Sequence, residues 1–273
     1  GWRRAGVNRL SLGTQSFQEP VLRWMGRLHA PDGTAAAVAA ARDAGFETYS
    51  VDLIFGLPAA VERDWSADLD AALALDPPHV SLYGLTAETG TPLGRAVGEG
   101  RIRMVEKSRC DDEYLEAAER LEAEGYDHYE VSNFARPGHR SRHTQAYWSG
   151  VPYLGLGNGA HSFVPPTRRW NVRDWVDYAR LTRGPSLPVD ESETVEGAAR
   201  RLENAWLGLR CDRGLPVRWS REGSAGRLVA TWEESGWAEV SAGRLTLTPR
   251  GWLRLDRLAI ELHEALEREL GRG

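Results

Sequence analysis

A single carboxylate inside an apolar segment is the feature that most constrains this fold. Residues 49–58 (YSVDLIFGLP) place Asp52 in a β-branched, apolar run that stops at Gly56 and Pro58. Such a run predicts a buried parallel strand with one costly polar group near its carboxyl end. Because ligands bind at the carboxyl ends of strands in β/α enzymes, Asp52 is a candidate site residue. The alternative is that Asp52 caps the following turn or pairs with a neighbouring Arg.

Strands and helices alternate along the first third of the chain. Further strands are predicted at 7–13 and 79–85, and helices at 19–28, 33–44 and 62–75. This alternation implies right-handed βαβ units and a parallel sheet or barrel, so the fold class is α/β. The following segments predict a loop at 86–103, an amphipathic helix at 106–124 and one half-buried strand at 126–133.

The second half of the sequence has a different pattern. Residues 136–169 have little periodicity, and their aromatic content favours an ordered, functional segment. From about residue 192, helices surround two short strands with a glycine-containing turn, which is typical of a winged-helix domain. We therefore predict three parts: a partial β/α barrel at 1–105, an α+β extension at 106–191 and a winged-helix-like domain at 192–273.

Composition and charge narrow the class of protein. The chain of 273 residues is 41% hydrophobic and 27% charged, as in globular proteins, and its net charge of −5 gives no bulk attraction to nucleic acid or anionic membranes. Any such contact would need a local patch, so peripheral membrane contact stays open. No signal peptide or transmembrane run is found, which predicts a cytoplasmic protein without transmembrane segments. Cys110 and Cys211 are too far apart in sequence for a cysteine-rich metal motif.

Four polar residues could point to one mouth of the predicted barrel, three of them at the strands and Arg27 on the helix between the first two strands. They are Gln15, Arg27, Asp52 and Thr86. An amide, a guanidinium, a carboxylate and a hydroxyl at one mouth of a barrel would suit a zwitterionic ligand that carries a ribose. The glycines of residues 155–159 (GLGNG) lack the spacing of a dinucleotide-binding loop, and we expect them and His161 to be structural.

Seven short motifs stand out along the sequence: 11–17 (SLGTQSF), 27–29 (RLH), 52–58 (DLIFGLP), 78–83 (PHVSLY), 136–138 (RPG), 143–148 (HTQAYW) and 153–162 (YLGLGNGAHS). These motifs resemble those of the oxygen-independent coproporphyrinogen III oxidase family of radical S-adenosylmethionine (SAM) proteins. They occur in order through the chain and are most similar to the HemW-type heme chaperone branch. The resemblance implies the C-terminal half of a partial radical SAM barrel, followed by an α+β segment and a winged-helix-like end.

The resemblance also implies ligands and partners. Positions matching Gln15, Arg27, Asp52 and Thr86 contact SAM in the family. The segment 143–148 resembles the HNxxYW motif, which makes His143 the candidate heme-iron ligand, although Thr144 stands in place of the family Asn. The implied function is to bind heme and pass it to heme-accepting proteins. The alternative for His143 is a structural role, in which its imidazole forms hydrogen bonds with the backbone beside a packed Trp. This alternative stays open.

One departure from the family limits the chemistry. The family's CxxxCxxC motif, which binds a [4Fe-4S] cluster, does not occur, and two distant cysteines cannot supply three thiolates. We therefore expect this chain to be an incomplete copy of a family member, with an exposed parallel edge on its sheet. We expect no catalytic residues in it, and the cluster would be present only in a full-length protein. Oxidative decarboxylation of coproporphyrinogen III is the alternative function. A DNA-binding winged helix is disfavoured because the segment 228–234 ends in Trp-Glu-Glu.

Overall fold

The computed structural model describes residues 1–270, which divide into two compact units. The first unit is Gly1–Arg140, and the second begins at Ser141. The last three residues of the predicted segment 192–273 lie outside the described residues. The division into three parts stays a prediction.

A five-stranded mixed sheet forms the centre of the first unit. Its strands are β1 (Arg9–Gln15), β2 (Thr48–Phe55), β3 (His79–Gly84), β4 (Asp127–Glu130) and β5 (Asn133–Ala135), in the spatial order β1-β2-β3-β5-β4. Strands β1, β2 and β3 are parallel, and β5 runs antiparallel to β3 and β4. Within residues 1–270, β1 pairs with β2 alone, so the expected parallel edge is present.

Helices connect the parallel strands of this sheet in the first unit. After a short 3-10 helix (Trp2–Ala5) they are α1 (Glu19–Trp24), α2 (Gly33–Asp43), α3 (Trp65–Ala74), α4 (Pro92–Gly98) and α5 (Lys107–Ala123). Alternate strand residues such as Val51, Leu53 and Val80 are fully buried in an apolar core. Helix α5 contributes Tyr114 and Leu121 to the buried apolar side chains. The opposite face of the same strands carries Ser50, Asp52, His79 and Ser81, which belong to the site described below.

Two small antiparallel sheets organise the second unit. Its first part contains α6 (Arg142–Trp148), β6 (His161–Val164), β7 (Thr167–Asn171), α7 (Trp175–Leu181) and β8 (Val189–Thr194). Its second part contains α8 (Gly197–Leu209), β9 (Leu215–Pro216), α9 (Ser224–Glu234), β10 (Ala238–Ser241), β11 (Arg244–Leu247), α10 (Pro249–Trp252) and α11 (Leu255–Leu270). The strand orders are β6-β7-β8 and β10-β11-β9. The second part has a helix, a short strand, a second helix and the β10–β11 hairpin in that order, and its assignment as a winged-helix-like domain stays a prediction.

Some local predictions were wrong. The segment 86–103, predicted as a loop, contains α4, where Thr91 accepts a capping hydrogen bond from Gly94 N at 3.0 Å. The predicted single strand at 126–133 is a tight hairpin of β4 and β5. Residues 136–169 hold α6 and a β6–β7 hairpin, and the helix predicted from residue 192 begins at Gly197. None of the helices within residues 1–270 is long and apolar enough to cross a membrane.

Candidate functional sites

Asp52 lies on the polar face of the first sheet and accepts hydrogen bonds from two serines. Ser11 Oγ of β1 donates to Asp52 Oδ2 at 2.5 Å, and Ser50 Oγ of β2 donates to Oδ1 at 2.7 Å. The carboxylate is buried, as the sequence predicted for this position. Its direct hydrogen-bond donors are these two hydroxyls. Asp52 therefore does not cap the following turn, and within residues 1–270 it does not form a direct hydrogen bond with an Arg. Neutral donors leave the negative charge of Asp52 available to a ligand.

Ser50 connects Asp52 to a buried histidine. His79 Nδ1 lies 2.9 Å from Ser50 Oγ, and His79 Nε2 lies 2.8 Å from the Tyr129 hydroxyl. Ser81 Oγ is also 2.9 Å from Ser50 Oγ. Burial is the largest cause that lowers the pKa of His79 from 6.5 to about 3, and the nearby Arg9 and His139 lower it further. The imidazole is therefore neutral at physiological pH, and burial also lowers the pKa of the Arg9 guanidinium.

Sequence reasoning missed Ser50, Ser81, His79 and Tyr129. The available signal was a two-residue alternation, since Ser50 and Asp52 share one face of β2, and His79 and Ser81 share one face of β3. Strand register was the missing information. In the structure Ser50 is paired with His79, and Asp52 is paired with Ser81.

Gln15 lies at the end of β1 in a strained position beside this network. Its φ of 66° is unusual for a residue other than glycine, and the strand register shifts between Leu12 and Gln15, where Gln15 pairs with Leu53. The residue is buried, at 9% exposure, and its Oε1 has no hydrogen-bond partner within the described part of the chain. Such an unpaired buried oxygen, on the strand adjacent to that of Asp52, is a free acceptor for a ligand.

The turn that follows Gln15 is fixed by a buried carboxylate. Asp68 of α3 accepts from the Phe17 backbone N–H at 2.7 Å and from Ser16 Oγ at 2.8 and 2.9 Å. Its side chain is fully buried, and desolvation raises its pKa. Asp68 therefore holds the backbone that gives Gln15 its orientation.

A cleft of about 630 Å³ opens at the carboxyl ends of the parallel strands. Its lining includes Arg27, Ile54, Leu85 and residues of α4. Ile54 follows Asp52 by two residues, so both side chains project from the same face of β2. Thr86 follows Leu85 and is exposed. The structure thus places Gln15 on the strand adjacent to that of Asp52, opposite Leu53, and it places Arg27 on the cleft that Ile54 also lines.

A buried ion pair supports the end of β2 next to this cleft. Arg63 Nη2 lies 2.7 Å from Glu113 Oε2, and the two side chains are 1% and 8% exposed. The same Glu113 oxygen accepts the Gly56 N–H at 2.8 Å, while Arg63 Nη1 donates to the Ile54 carbonyl at 2.6 Å. These contacts fix the chain where it leaves the strand. Burial lowers the pKa of Arg63 even though Glu113 opposes this effect.

His143 lies in the second unit at the start of α6 and is exposed. Its ring meets the Tyr147 ring edge to face, with centroids 4.9 Å apart, and Tyr147 meets Tyr153 in the same way at 4.6 Å. Leu154 and Leu156, which follow Tyr153, are 68% and 89% exposed. An accessible imidazole, two aromatic rings and exposed apolar side chains therefore occur in one region of this unit.

The neighbours of His143 in the motif have structural contacts. Thr144 Oγ1 donates to the Ser141 carbonyl at 3.2 Å, which is a contact of the helix start. Trp148 packs against Trp206 with ring centroids 6.1 Å apart, and the Arg210 guanidinium lies 4.1 Å from the Trp148 ring. Trp148 thus packs against α8, whereas the Tyr147 ring contacts the His143 ring within α6.

The glycine segment 155–159 packs tightly against β6. A Cβ on Gly155 would lie 2.2 Å from the His161 carbonyl oxygen, so no other residue fits this backbone. Gly157 N–H donates to the Tyr178 hydroxyl at 2.9 Å. His161 is exposed and stacks on Trp170 with centroids 5.4 Å apart.

No cluster of three or more His, Cys, Asp or Glu side chains suited to a metal ion is found within residues 1–270. Cys110 and Cys211 form no disulfide within residues 1–270 and belong to different units. The two thiols of this chain do not fit a [4Fe-4S] cluster that needs three thiolates.

Comparison with known proteins gives relatives over nearly the whole chain. It is 38% identical over 255 residues to "Heme chaperone HemW" of Mycobacterium tuberculosis, covering 93% of this chain and 65% of that protein. It is 35% identical over 213 residues to "Heme chaperone HemW" of Bacillus subtilis, covering 78% of this chain and 56% of that protein. The chain therefore spans less than two thirds of the length of these relatives. No family model matches it.

A solved structure has the same fold. The chain superposes on "Coproporphyrinogen III oxidase (HemN) from Escherichia coli" with a TM-score of 0.73 and 20% identity, covering 96% of this chain and 65% of that chain. That structure is described as a radical SAM enzyme. At this identity the likeness shows the fold alone, and it confirms the α/β class with a partial radical SAM barrel.

Proposed function

We propose that this chain binds heme and passes it to acceptor proteins, because it belongs to the HemW-type family of radical SAM proteins. The relatives named heme chaperone are longer than this chain, so the same activity is only proposed for it. The observation that carries the proposal is the exposed His143 beside Tyr147 and the exposed Leu154. An imidazole supplies an axial ligand to heme iron, and aromatic and aliphatic side chains suit a flat apolar macrocycle.

The first unit is proposed to hold SAM. The free Oε1 of Gln15 and the Asp52 carboxylate accept hydrogen bonds, which suits the hydroxyls and ammonium of that ligand. Arg27 on the adjacent cleft would pair with a carboxylate. Thr86 is exposed beyond β3 and stays a predicted contact. These residues fit SAM as a bound ligand. The two cysteines present do not fit the [4Fe-4S] cluster that radical SAM chemistry needs.

The other functions receive less support. Coproporphyrinogen III oxidation would need the same cluster, and the HemN likeness is one of fold. For DNA binding, α9 would be the recognition helix, and it ends in Glu233 and Glu234 with Trp232 buried in the core. Acidic residues oppose phosphate binding. The heme-accepting proteins and the cytoplasmic location stay predictions.

A hemin titration tests the proposal. We expect the wild-type chain to shift and sharpen the Soret band of hemin at near-stoichiometric ratios, since imidazole coordination changes the iron's ligand field. His143→Ala should abolish this shift without changing the far-UV circular dichroism spectrum, because His143 is exposed.

The matched control is His161→Ala. His161 is also an exposed histidine in the second unit, and its ring stacks on Trp170. This variant should keep the wild-type Soret shift. An unchanged titration of His143→Ala, or loss of the shift in His161→Ala alone, would remove His143 as the ligand.

A further inference from the structure

The hydrogen bonds between Tyr129 and Asp52 have a single consistent direction. An ionised carboxylate accepts hydrogen bonds and donates none, so Ser50 uses its one hydroxyl proton on Asp52 Oδ1, 2.7 Å away. Ser50 Oγ must then accept from His79 Nδ1, which lies 2.9 Å away. A neutral imidazole with its proton on Nδ1 has a free lone pair on Nε2, and this accepts from the Tyr129 hydroxyl at 2.8 Å. All three donors point towards Asp52.

The Ser50 hydroxyl has a competing acceptor. Ser81 Oγ lies 2.9 Å from Ser50 Oγ, and either oxygen can donate to the other. Without a donor on its far side, Ser50 could turn its proton to Ser81 and leave Asp52 Oδ1 unpaired. With His79 Nδ1–H in place, Ser50 accepts from both neighbours and donates to Asp52.

We infer that His79 is a positioning residue for ligand binding at Asp52, because its Nδ1–H tautomer holds the Ser50 hydroxyl on the carboxylate. The inference rests on the proposed SAM site and adds a residue that does not touch the ligand. Ser11 on Oδ2 and Ser50 on Oδ1 fix the plane of the carboxylate. The remaining lone pairs then keep one orientation towards the hydroxyl or ammonium donors of a ligand, so binding does not have to order the carboxylate. His79 is nearly fully buried, at 1% exposure, which keeps this arrangement away from water.

The tautomer is a direct test. Nitrogen-15 NMR of the histidine-labelled full chain at pH 7.5 distinguishes protonated from unprotonated ring nitrogens, and the His79→Asn variant assigns the signals. We expect a protonated Nδ1 and an unprotonated Nε2 for His79. A proton on Nε2 would reverse the direction of the chain and overturn the inference.

Ligand affinity is the second test, with S-adenosylhomocysteine as the probe in isothermal titration calorimetry of the full chain. The amide N–H of Asn can replace Nδ1–H, so His79→Asn should keep the dissociation constant within about twofold. His79→Phe removes the donor and should raise the dissociation constant about fivefold, the effect of roughly one neutral hydrogen bond. Ser50→Ala should weaken binding at least as much.

Ser81→Ala is the matched control for Ser50→Ala, since Ser81 contacts Ser50 and is not a hydrogen-bond donor to Asp52. It should stay within about twofold of wild type. If the role of His79 is purely structural, the loss of probe affinity in each variant should parallel the drop in its melting temperature. His79→Asn and His79→Phe should then bind the probe equally weakly. That result would overturn the inference. If the wild-type chain does not bind the probe, the proposed SAM site fails, and the tautomer alone then decides whether His79 orients Asp52.

Discussion

The two candidate sites are built from opposite kinds of contact. In the first unit, Asp52 and its partners lie on a sheet and are joined by short hydrogen bonds, most of them buried. In the second unit, His143 is exposed and touches its neighbours through ring edges. A buried polar network selects a ligand by its donors and acceptors, whereas exposed rings select by shape and apolar area. The difference matches the two proposed ligands, which are SAM and heme.

This comparison predicts different responses to substitution. Changes to buried charged groups in the first unit should cost much stability and respond to pH. Changes in the second unit should act through steric fit and should be nearly independent of pH. Both expectations can be tested by unfolding experiments, with hydrogen exchange to assign each effect to its unit, because unfolding of two units need not be two-state.

The largest effect is expected for Glu113→Ala. Its loss leaves Arg63 buried without its carboxylate and removes the acceptor of the Gly56 N–H. Breaking a buried pair from one side costs about 3–5 kcal/mol of the free energy of unfolding. Urea denaturation measures the loss, and hydrogen exchange should rise in β2. Glu119→Ala, on the exposed face of the same helix, is the control and should change stability little. Equal losses in the two variants would contradict the role of the ion pair.

The pH dependence of His79 should give the next largest effect. Its folded-state pKa of about 3 lies below the unfolded value of 6.5, so the unfolded chain binds a proton first as the pH falls. The stability that His79 contributes is complete above pH 6.5 and is lost between pH 6.5 and about 3, at a slope that approaches roughly 1.4 kcal/mol per pH unit. Urea midpoints of wild type and His79→Asn should therefore converge as the pH falls from 7 to 4.5. Parallel pH profiles would show that His79 does not titrate in this range.

The sequence predicted the elements that have clear periodicity. Asp52 was found because a charge interrupts an apolar run, and the helix predicted at 106–124 is α5 (Lys107–Ala123). The β4–β5 hairpin was missed because its alternation continues through the turn. There the buried Glu130 carboxylate accepts the Ser132 N–H at 3.0 Å, a contact that the one-dimensional pattern does not reveal. His79 was missed as a site residue because its link to Ser50 depends on strand register.

A smaller effect is expected in the second unit for Gly155→Ala. The added Cβ would lie 2.2 Å from the His161 carbonyl oxygen, so the backbone of the segment or of β6 must move. Such overpacking costs about 1–3 kcal/mol, and the loss should be the same at pH 5 and pH 7. Thermal unfolding of this variant is compared with Gly184→Ala, where the nearest atom would be 3.4 Å away. A strong pH dependence would break the contrast between the two units.

The smallest effect is expected for an exposed carboxylate that caps a helix. Asp174 is the N-cap of α7 and accepts the Asp177 N–H at 2.9 Å. Asp174→Ala removes this bond and should cost about 1 kcal/mol or less, because water replaces the lost acceptor. Asp68 accepts a backbone N–H at a similar distance, but it is fully buried, and its replacement by Ala also leaves the buried Ser16 hydroxyl without its acceptor. Asp68→Ala should therefore cost more than Asp174→Ala in urea denaturation. Equal losses of unfolding free energy in the two variants would mean that burial does not decide the cost. The contrast between a buried polar site in the first unit and an exposed site in the second would then fail.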